Sequence, residues 1–337
     1  MWIKAHRTHG MILVTLLMGV TISVVVLSAA VSSVAQKDAA ASVKGGGKNS
    51  VISVNVSLVD LPVSVTDSHG NFVSGLSREN FQVYEDKQAQ KIANFADEDI
   101  PTTVGLIVDH SGSMREKLPQ VGAAVAAFAR SSNPKDEMFV VNFNDIVSLE
   151  LPAATPFTSD IRLLQKAVLR VSAEGRTALN DAIITALGQL RSGHRERQAL
   201  IIVSDGGDNA SKHKFAEVLA EARRSKAIIY SIGIFSPDEA EQNPGMLEKL
   251  AKATGGQTFF PHSINEVTSI CTQIARDIRE QYALGYIPSG AEVAGSYRKI
   301  DVKVVAPNRA KLHVRTRAGY VVPPKMASSP AITSGKS

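Results

Sequence analysis

The middle of the chain alternates unbroken apolar runs with amphipathic stretches, and this pattern constrains the fold more than any other feature. The apolar runs lie at 104–108, 138–141, 199–203 and 227–232. Strands that are apolar at every position are buried on both faces, so the pattern predicts a mostly parallel sheet with helices on both faces. The run 146–149 follows a tight Asn144-Asp145 turn and is predicted to be an antiparallel edge strand. One helix is expected to bury Ile161, Leu164, Val168 and Val171.

We assign this α/β domain to residues 101–280, and period-two alternation replaces its pattern on both sides. Residues 51–97 and 281–322 each contain short alternating strands. Their combined number approaches the seven or so strands of a small sandwich. We therefore hypothesise that the two flanks form one β domain into which the α/β domain is inserted. A change of parity between 52–58 and 59–65 suggests a bulge or a strand that crosses between sheets.

The first 35 residues have the layout of a secretory signal. Lys4 and Arg7 precede an apolar run from 11 to 31, and Ser33-Val34-Ala35 offers small residues for cleavage after Ala35. An uncleaved anchor with its basic end in the cytoplasm is the alternative, because about 20 apolar residues can span a bilayer. Both interpretations place the body of the protein outside the cytoplasm. Residues 36–50 are predicted to be a linker, and 323–337 a disordered tail.

Charge and cysteine content argue against a nucleic-acid-binding protein and against a cysteine nucleophile. The formal charge is +5, and removal of the first 35 residues takes away Lys4 and Arg7 and no acidic residue, which leaves +3. This balance is too mild to indicate a nucleic-acid partner. The one cysteine, Cys271, cannot form an internal disulfide and falls on the apolar face of a predicted helix. It is expected to be a small buried side chain rather than a nucleophile.

Three small oxygen-bearing side chains follow the apolar run 104–108 at alternate positions: Asp109, Ser111 and Ser113. Gly112 permits a tight loop in which the three side chains can converge on one point. Mg²⁺ prefers oxygen ligands in octahedral geometry at about 2.0–2.1 Å, and these side chains could supply them. Asp and Ser also commonly cap a following helix, and the motif taken alone supports both interpretations equally.

Two further loops bring oxygen side chains to the same predicted rim. Asp109 and Asp205 each lie at the carboxyl end of a predicted parallel strand, and Thr177 lies in a loop that leads into a helix. Ligands of open α/β sheets bind outside the carboxyl ends of the strands, where the strand order reverses. Three separate loops can therefore deliver oxygen ligands to one point.

Taken together, Asp109-x-Ser111-x-Ser113, Thr177 and Asp205 resemble the metal-ion-dependent adhesion site of von Willebrand factor type A domains. The resemblance implies a Rossmann-like fold and a Mg²⁺ ion, with Mn²⁺ as the alternative, held directly by Ser111 and Ser113. Thr177, Asp109 and Asp205 would bind the ion directly or through water. It further implies an adhesion or scaffold module in which a partner protein supplies an Asp or Glu to the ion.

The segments that flank the α/β domain extend this resemblance to about residues 52–322. Phe81-Gln-Val-Tyr-Glu-Asp86, Gln281-Tyr-Ala-Leu-Gly-Tyr286 and Arg317-Ala-Gly-Tyr320 are similar to segments of a secreted bacterial family related to these domains. One position departs from the bacterial pattern, because Arg176 stands where glycine is usual. If this position requires a left-handed backbone, Arg176 is strained. Otherwise its guanidinium is either exposed to solvent or placed to contact an anionic partner.

The ligand set favours binding over catalysis. Two carboxylates and three neutral hydroxyls only balance the charge of a divalent cation, which leaves a coordination position for an acidic group of a partner. A hydrolase needs a general base beside the metal, and the sequence contains no Gly-x-Ser-x-Gly, His-Glu-x-x-His or Cys-x-x-Cys motif.

His110 should point away from the ligands and is expected at the surface, and Asp208 either supports the ligands or caps a following helix. We therefore assign no catalytic residue and expect a non-enzymatic module. The alternatives are a scaffold with a vestigial metal site and, more distantly, a metal-dependent hydrolase.

Overall fold

The computed structural model describes residues 58–204, 206–235, 242–291, 293–306 and 311–324. The predicted signal segment, the linker, the parity change before residue 59 and nearly all of the predicted tail lie outside these ranges. None of the helices in the described part of the chain is long and apolar enough to span a bilayer.

The elements follow one another in the order expected for an α/β domain between two β-rich flanks. The strands are β1 (Val59–Thr66), β2 (Phe81–Glu85), β3 (Gln88–Gln90), β4 (Ile92–Ala96), β5 (Thr102–Asp109), β6 (Glu137–Phe143), β7 (Val147–Leu149), β8 (Arg197–Ser204), β9 (Ile228–Gly233), β10 (Thr258–Phe259), β11 (Tyr282–Tyr286), β12 (Tyr297–Val304), β13 (His313–Arg315) and β14 (Gly319–Val321). The helices are α1 (Leu118–Ser131), α2 (Ile161–Val168), α3 (Leu179–Leu190), α4 (Phe215–Arg224), α5 (Pro244–Thr254) and α6 (Val267–Arg279).

The central sheet has the strand order β10-β9-β8-β5-β6-β7. All neighbours pair in parallel except β7, which is antiparallel to β6 at the edge of the sheet. Every residue of β5 is buried, as its lack of alternation predicts for a strand covered on both faces. The predicted fold class and the antiparallel edge strand are therefore confirmed.

The helix predicted to include Val171 is shorter than expected. α2 ends at Val168, and the N–H of Leu169 donates to the carbonyls of Gln165 and Ala167. Beyond it the chain turns toward the strand ends, where the carbonyl of Val171 lies 3.0 Å from a ring nitrogen of His110. A tertiary contact therefore takes the place of a further helical turn.

The flanks form a second body of two four-stranded antiparallel sheets, ordered β13-β1-β11-β4 and β14-β12-β2-β3. Leu61 of β1 faces Leu284 of β11, and Val83 of β2 faces Val302 of β12. These four residues belong to one hydrophobic core shared by both sheets. The predicted pairing between the amino-terminal and carboxyl-terminal flanks is thus confirmed.

A polar cluster joins the two bodies where α6 leads into β11. The carboxylate of Asp277 accepts a hydrogen bond from the Tyr230 hydroxyl at 2.6 Å and an ion-paired one from Arg315 at 2.5 Å. Gln281 donates to the Tyr230 hydroxyl at 3.1 Å and to Ser64 at 3.2 Å. Burial raises the pKa of Tyr230 well above its ordinary value, so the phenol stays protonated and donates to Asp277.

Cys271 lies in α6 and is 3% exposed, in agreement with its predicted place in the core. Burial raises the pKa of its thiol to about 12, so little thiolate forms at neutral pH.

Asp136 fixes the turn that leads into β6. Its carboxylate accepts the N–H of Thr102 at 2.7 Å and that of Asn133 at 3.1 Å. Burial outweighs these hydrogen bonds and raises the pKa of Asp136 to about 6.

This raised pKa predicts a pH-dependent contribution to stability. Because the folded-state pKa exceeds the unfolded value of about 3.9, the stabilisation linked to Asp136 is complete below about pH 4 and is lost as the pH rises through 6. Asp136→Asn removes this titration. The free energy of unfolding of the wild type minus that of the variant should fall by roughly 2–3 kcal/mol between pH 4 and 7. Urea denaturation at both pH values measures it, and parallel pH profiles would contradict the prediction.

Candidate metal site at the carboxyl rim

The site lies where the strand order of the central sheet reverses. The chain leaves β5 for β6 on one side and later returns to β8 on the other, so β5 and β8 are neighbours whose connections run in opposite directions. A crevice outside the carboxyl ends of such strands is the usual ligand site of an open α/β sheet. Asp109 is the last residue of β5, and Ser204 is the last residue of β8.

Asp109, Ser111 and Ser113 form one compact loop. Asp109 has no exposed surface, and its carboxylate accepts the Ser111 N–H at 2.8 Å and the Ser204 hydroxyl at 2.6 Å. The hydroxyls of Ser111 and Ser113 lie 3.1 Å apart. Neither the short helical turn at Gly112–Met114 nor α1 has a side-chain cap, since Ser111 and Lys117 at the two cap positions make none. Helix capping therefore does not explain the serines.

The loop that carries Thr177 runs directly beside this one. The Gly112 N–H donates to the Gly175 carbonyl at 3.3 Å, and the Glu174 N–H donates to the His110 carbonyl at 2.9 Å. Thr177 is buried. Its N–H donates to the Asn209 side chain at 2.9 Å, and its carbonyl accepts the Asn209 N–H at 3.0 Å. The 173–177 loop is therefore held between the loop after β5 and the loop after β8.

Asp205 lies outside the described residues, and its predicted ligand role stays a prediction. The residues on either side of it can be described. The Ser204 hydroxyl donates to Asp109 and accepts the Gly206 N–H at 3.1 Å. The residue before position 205 is thus hydrogen-bonded to the Asp109 carboxylate, and the residue after it to the Ser204 hydroxyl.

Arg176 is not strained. The left-handed residue of this loop is Gly175, with φ +79°, and a Cβ there would lie 2.0 Å from the carboxylate of Asp145. Arg176 donates to that carboxylate from its backbone N–H and from its side chain, each at 3.0 Å. The hydrogen bond from the Arg176 backbone is the largest cause of the lowered pKa of Asp145. The Arg176 side chain remains 66% exposed at the rim.

The expected place of His110 at the surface is wrong. The side chain has no exposed area, and burial lowers its pKa. Asp208 caps α3 instead of a following helix, because it accepts the Asn180 N–H at 2.7 Å.

Sequence reasoning missed three residues that shape the site: Ser204, Asn209 and Asp145. A local signal existed only for Ser204, a small hydroxyl residue that ends a buried strand immediately before a predicted ligand. Asn209 and Asp145 act on Thr177 and Arg176, which are more than thirty positions away in both cases, so only the folded chain shows these contacts.

The described donors suit a hard divalent cation. Neighbouring ligands of an octahedral Mg²⁺ ion lie about 2.9 Å apart, given metal–oxygen distances of about 2.0–2.1 Å. The 3.1 Å between the hydroxyls of Ser111 and Ser113 is close to this spacing, and the Asp109 carboxylate accepts the backbone N–H of Ser111. Within the described ranges, no three His, Cys, Asp or Glu side chains group as metal ligands. The hydroxyl oxygens of Ser111 and Ser113 are ligands that Mg²⁺ accepts and that soft metals do not favour.

Comparison with known proteins agrees with this architecture. The family model of the von Willebrand factor type A domain matches residues 104–273. The chain belongs to the von Willebrand factor type A domain family, whose members are adhesion and protein-interaction modules that generally lack enzymatic activity. The resemblance of the sequence to von Willebrand factor type A domains is therefore confirmed. No curated protein matches the chain.

Solved structures with a similar fold are distant in sequence. A von Willebrand factor type A protein from Catenulispora acidiphila is 14% identical, with 81% of this chain and 76% of that one covered and a TM-score of 0.48. The conserved hypothetical protein BatB from Bacteroides thetaiotaomicron is 18% identical, with 52% and 98% covered and a TM-score of 0.42. The vWF domain of a type V pili tip protein from Porphyromonas gingivalis is 13% identical, with 53% and 95% covered and a TM-score of 0.45.

Proposed function

We propose that this protein is an extracytoplasmic adhesion or scaffold module that captures an acidic group of a partner protein through a divalent cation. The observation that carries the proposal is the Ser111–Ser113 hydroxyl pair, 3.1 Å apart, beside the buried Asp109 carboxylate at the reversal point of the sheet. Asp109, Ser111, Ser113, Thr177 and Asp205 are the proposed ligands. Mg²⁺ is the expected ion, and Mn²⁺ fits the same oxygen set.

The residues of the chain orient these ligands before a cation arrives. The Ser204 hydroxyl donates to one oxygen of the Asp109 carboxylate and the Ser111 N–H donates to the other, which fixes the plane of the carboxylate. The Asn209 side chain holds the backbone of Thr177. When bound, the cation would supply positive charge and a coordination position for a carboxylate oxygen of the partner. Two carboxylates and three neutral hydroxyls leave that position attractive to an anion.

Arg176 gives the rim a cationic side chain next to a proposed ligand. Asp145 holds its Nε at 3.0 Å, while two-thirds of the side chain remains exposed. We assign it a contact with the acidic partner segment, because an arginine held in place loses less conformational entropy on binding than a free one.

Binding is favoured over hydrolysis because His110 and Asp208, two titratable residues adjacent to or near the proposed ligands in sequence, are engaged in other contacts. His110 is enclosed, and one of its ring nitrogens faces the Val171 carbonyl. Asp208 is occupied by the Asn180 N–H and by Ser211. The extracytoplasmic location rests on the apolar run at 11–31 with its basic amino-terminal flank.

Calorimetric titration of Mg²⁺ and Mn²⁺ into the purified protein tests the cation site. We expect saturable binding at one site per chain in the wild type and none in Asp109→Ala, because the variant loses the buried carboxylate. Asp301→Ala removes the same charge from an exposed position of β12 and should bind like the wild type. Absence of binding in the wild type, or equal binding in Asp109→Ala, would count against the site and favour the vestigial-site alternative.

A second titration tests the acidic partner group. If the carboxylate of N-acetyl-aspartate amide completes the coordination shell, its presence must raise the affinity of the protein for Mg²⁺ by linkage. N-acetyl-asparagine amide at the same concentration should leave that affinity unchanged. Equal Mg²⁺ affinity in the two solutions would refute capture of a carboxylate.

A further inference from the structure

We propose that His110 is a positioning residue that sets the spacing between the serine loop (residues 109–113) and the threonine loop (residues 171–177) of the proposed metal site. The inference rests on the proposed function, because the quantity it predicts is the affinity for Mg²⁺. His110 stands between Asp109 and Ser111, yet its side chain is completely buried and faces the carbonyl of Val171. Its contacts reach two separate segments of the chain, the end of β6 and the 171–177 loop.

The backbone of His110 is bonded in two directions. Its N–H donates to the carbonyl of Phe143, the last residue of β6, at 2.7 Å. Its carbonyl accepts the N–H of Glu174 at 2.9 Å, three residues before Thr177. These bonds continue the sheet beyond β5 and attach the start of the threonine loop to it. Any residue at position 110 could make them, so they do not by themselves require histidine.

The imidazole adds a bond that depends on the side chain. Its Nδ1 lies 3.0 Å from the carbonyl oxygen of Val171. Because a carbonyl can only accept, Nδ1 carries the hydrogen and donates it. The other ring nitrogen, Nε2, is enclosed and has no hydrogen-bond partner among the described residues, as is also true of Asn142 Oδ1. The bond to Val171 is therefore a directional interaction that helps to fix the ring.

The imidazole of His110 is one of the groups that hold the 171–177 loop in place. This loop is attached at Val171 by the imidazole, at Glu174 by the His110 carbonyl, at Gly175 by the Gly112 N–H and at Thr177 by Asn209. Loss of the imidazole would free the first attachment and leave a cavity under the serine loop. Metal ligands must hold their geometry to about 0.5 Å, and loss of supporting contacts typically weakens metal binding about 10–100-fold.

Two substitutions separate this role from simple packing. Asn places an N–H donor at the same distance from the backbone as Nδ1 of histidine, so His110→Asn can keep the bond to Val171. Leu fills similar space without a donor, so His110→Leu cannot. Val302→Ala truncates a core residue of the β body, far along the chain from the site, and serves as the control for a general loss of stability.

The experiment is Mg²⁺ titration of the wild type and the three variants, with amide exchange of the 171–177 segment measured in metal-free protein. We expect His110→Leu to weaken Mg²⁺ binding at least about 10-fold and to speed exchange at Glu174. His110→Asn should restore both to within about 3-fold of the wild type, and Val302→Ala should leave both unchanged. The positioning role of His110 is overturned, and the proposed function is not, if His110→Leu binds Mg²⁺ like the wild type. The same holds if His110→Asn binds Mg²⁺ no more tightly than His110→Leu. A wild type without Mg²⁺ binding would overturn the proposed function as well, which distinguishes the two failures.

Discussion

Gly256→Ala is expected to lower the free energy of unfolding by at least about 3 kcal/mol, the upper range for overpacking a core. Gly256 lies in the turn between α5 and β10, where the chain passes directly against β9. A Cβ at this position would lie 1.9 Å from the carbonyl oxygen of Ile229 and 2.5 Å from its carbonyl carbon. Both atoms belong to the backbone of a buried strand, so no side-chain rotation can relieve the contact. Urea denaturation followed by circular dichroism measures the loss.

Gly188→Ala is the matched control. Gly188 lies within α3, and a Cβ there would meet no atom within 4 Å. Alanine loses less backbone entropy in a helix than glycine does, so this substitution should stabilise the protein by roughly 0.5–1 kcal/mol. The two variants add the same methyl group and should move stability in opposite directions. A Gly256→Ala protein as stable as the wild type would show that the α5–β10 turn can move away from β9.

Arg315→Met should cost about 3 kcal/mol, at the lower end of the range for breaking a buried ion pair. The substitution leaves the Asp277 carboxylate, which is 13% exposed, without the guanidinium that contacts it at 2.5 Å. The lower end applies because the Arg315 side chain is itself 24% exposed. The loss should appear in urea denaturation as a lower midpoint with an unchanged slope.

The Lys226–Asp60 pair supplies the comparison, because it joins the α/β body to β1 as the Arg315–Asp277 pair joins it to β13. Its side chains are 72% and 59% exposed and lie 3.7 Å apart, so Lys226→Met should change stability by less than about 1 kcal/mol. The double variant Arg315→Met/Asp277→Leu removes both charges and should lose less than the sum of its single substitutions. Equal losses of stability in Arg315→Met and Lys226→Met would mean that burial adds nothing to the contribution of the Arg315–Asp277 pair.

The central sheet could be predicted because burial on both faces leaves a direct mark on sequence. β5, β6 and β8 carry apolar side chains at successive positions, which few other structures require. The end of α2 could not be predicted, because the contact between Val171 and His110 joins residues 61 positions apart. Strand counting indicated one β domain, but its register, such as Leu61 opposite Leu284, depends on pairing across the inserted domain.

At the site, the i, i+2, i+4 spacing of Asp109, Ser111 and Ser113 was visible because these residues share one loop. The burial of His110 could not be predicted, because it depends on whether solvent or protein lies beneath the loop. Here the 171–174 segment lies beneath it. The left-handed backbone considered for Arg176 lies one residue earlier, because the positive φ belongs to Gly175.

The pairing of β11 between β1 and β4 has a consequence for the order in which the protein can be completed during synthesis. β1 and β4 leave the ribosome first, yet both find their partner in β11, which is made only after the whole α/β body. β2 likewise waits for β12, although it can form its hairpin with β3 at once. The α/β body has its own core and can fold as soon as α6 is available. The amino-terminal strands therefore remain incomplete until the last quarter of the chain appears, and throughout that interval they present unpaired edges of the kind that chaperones protect.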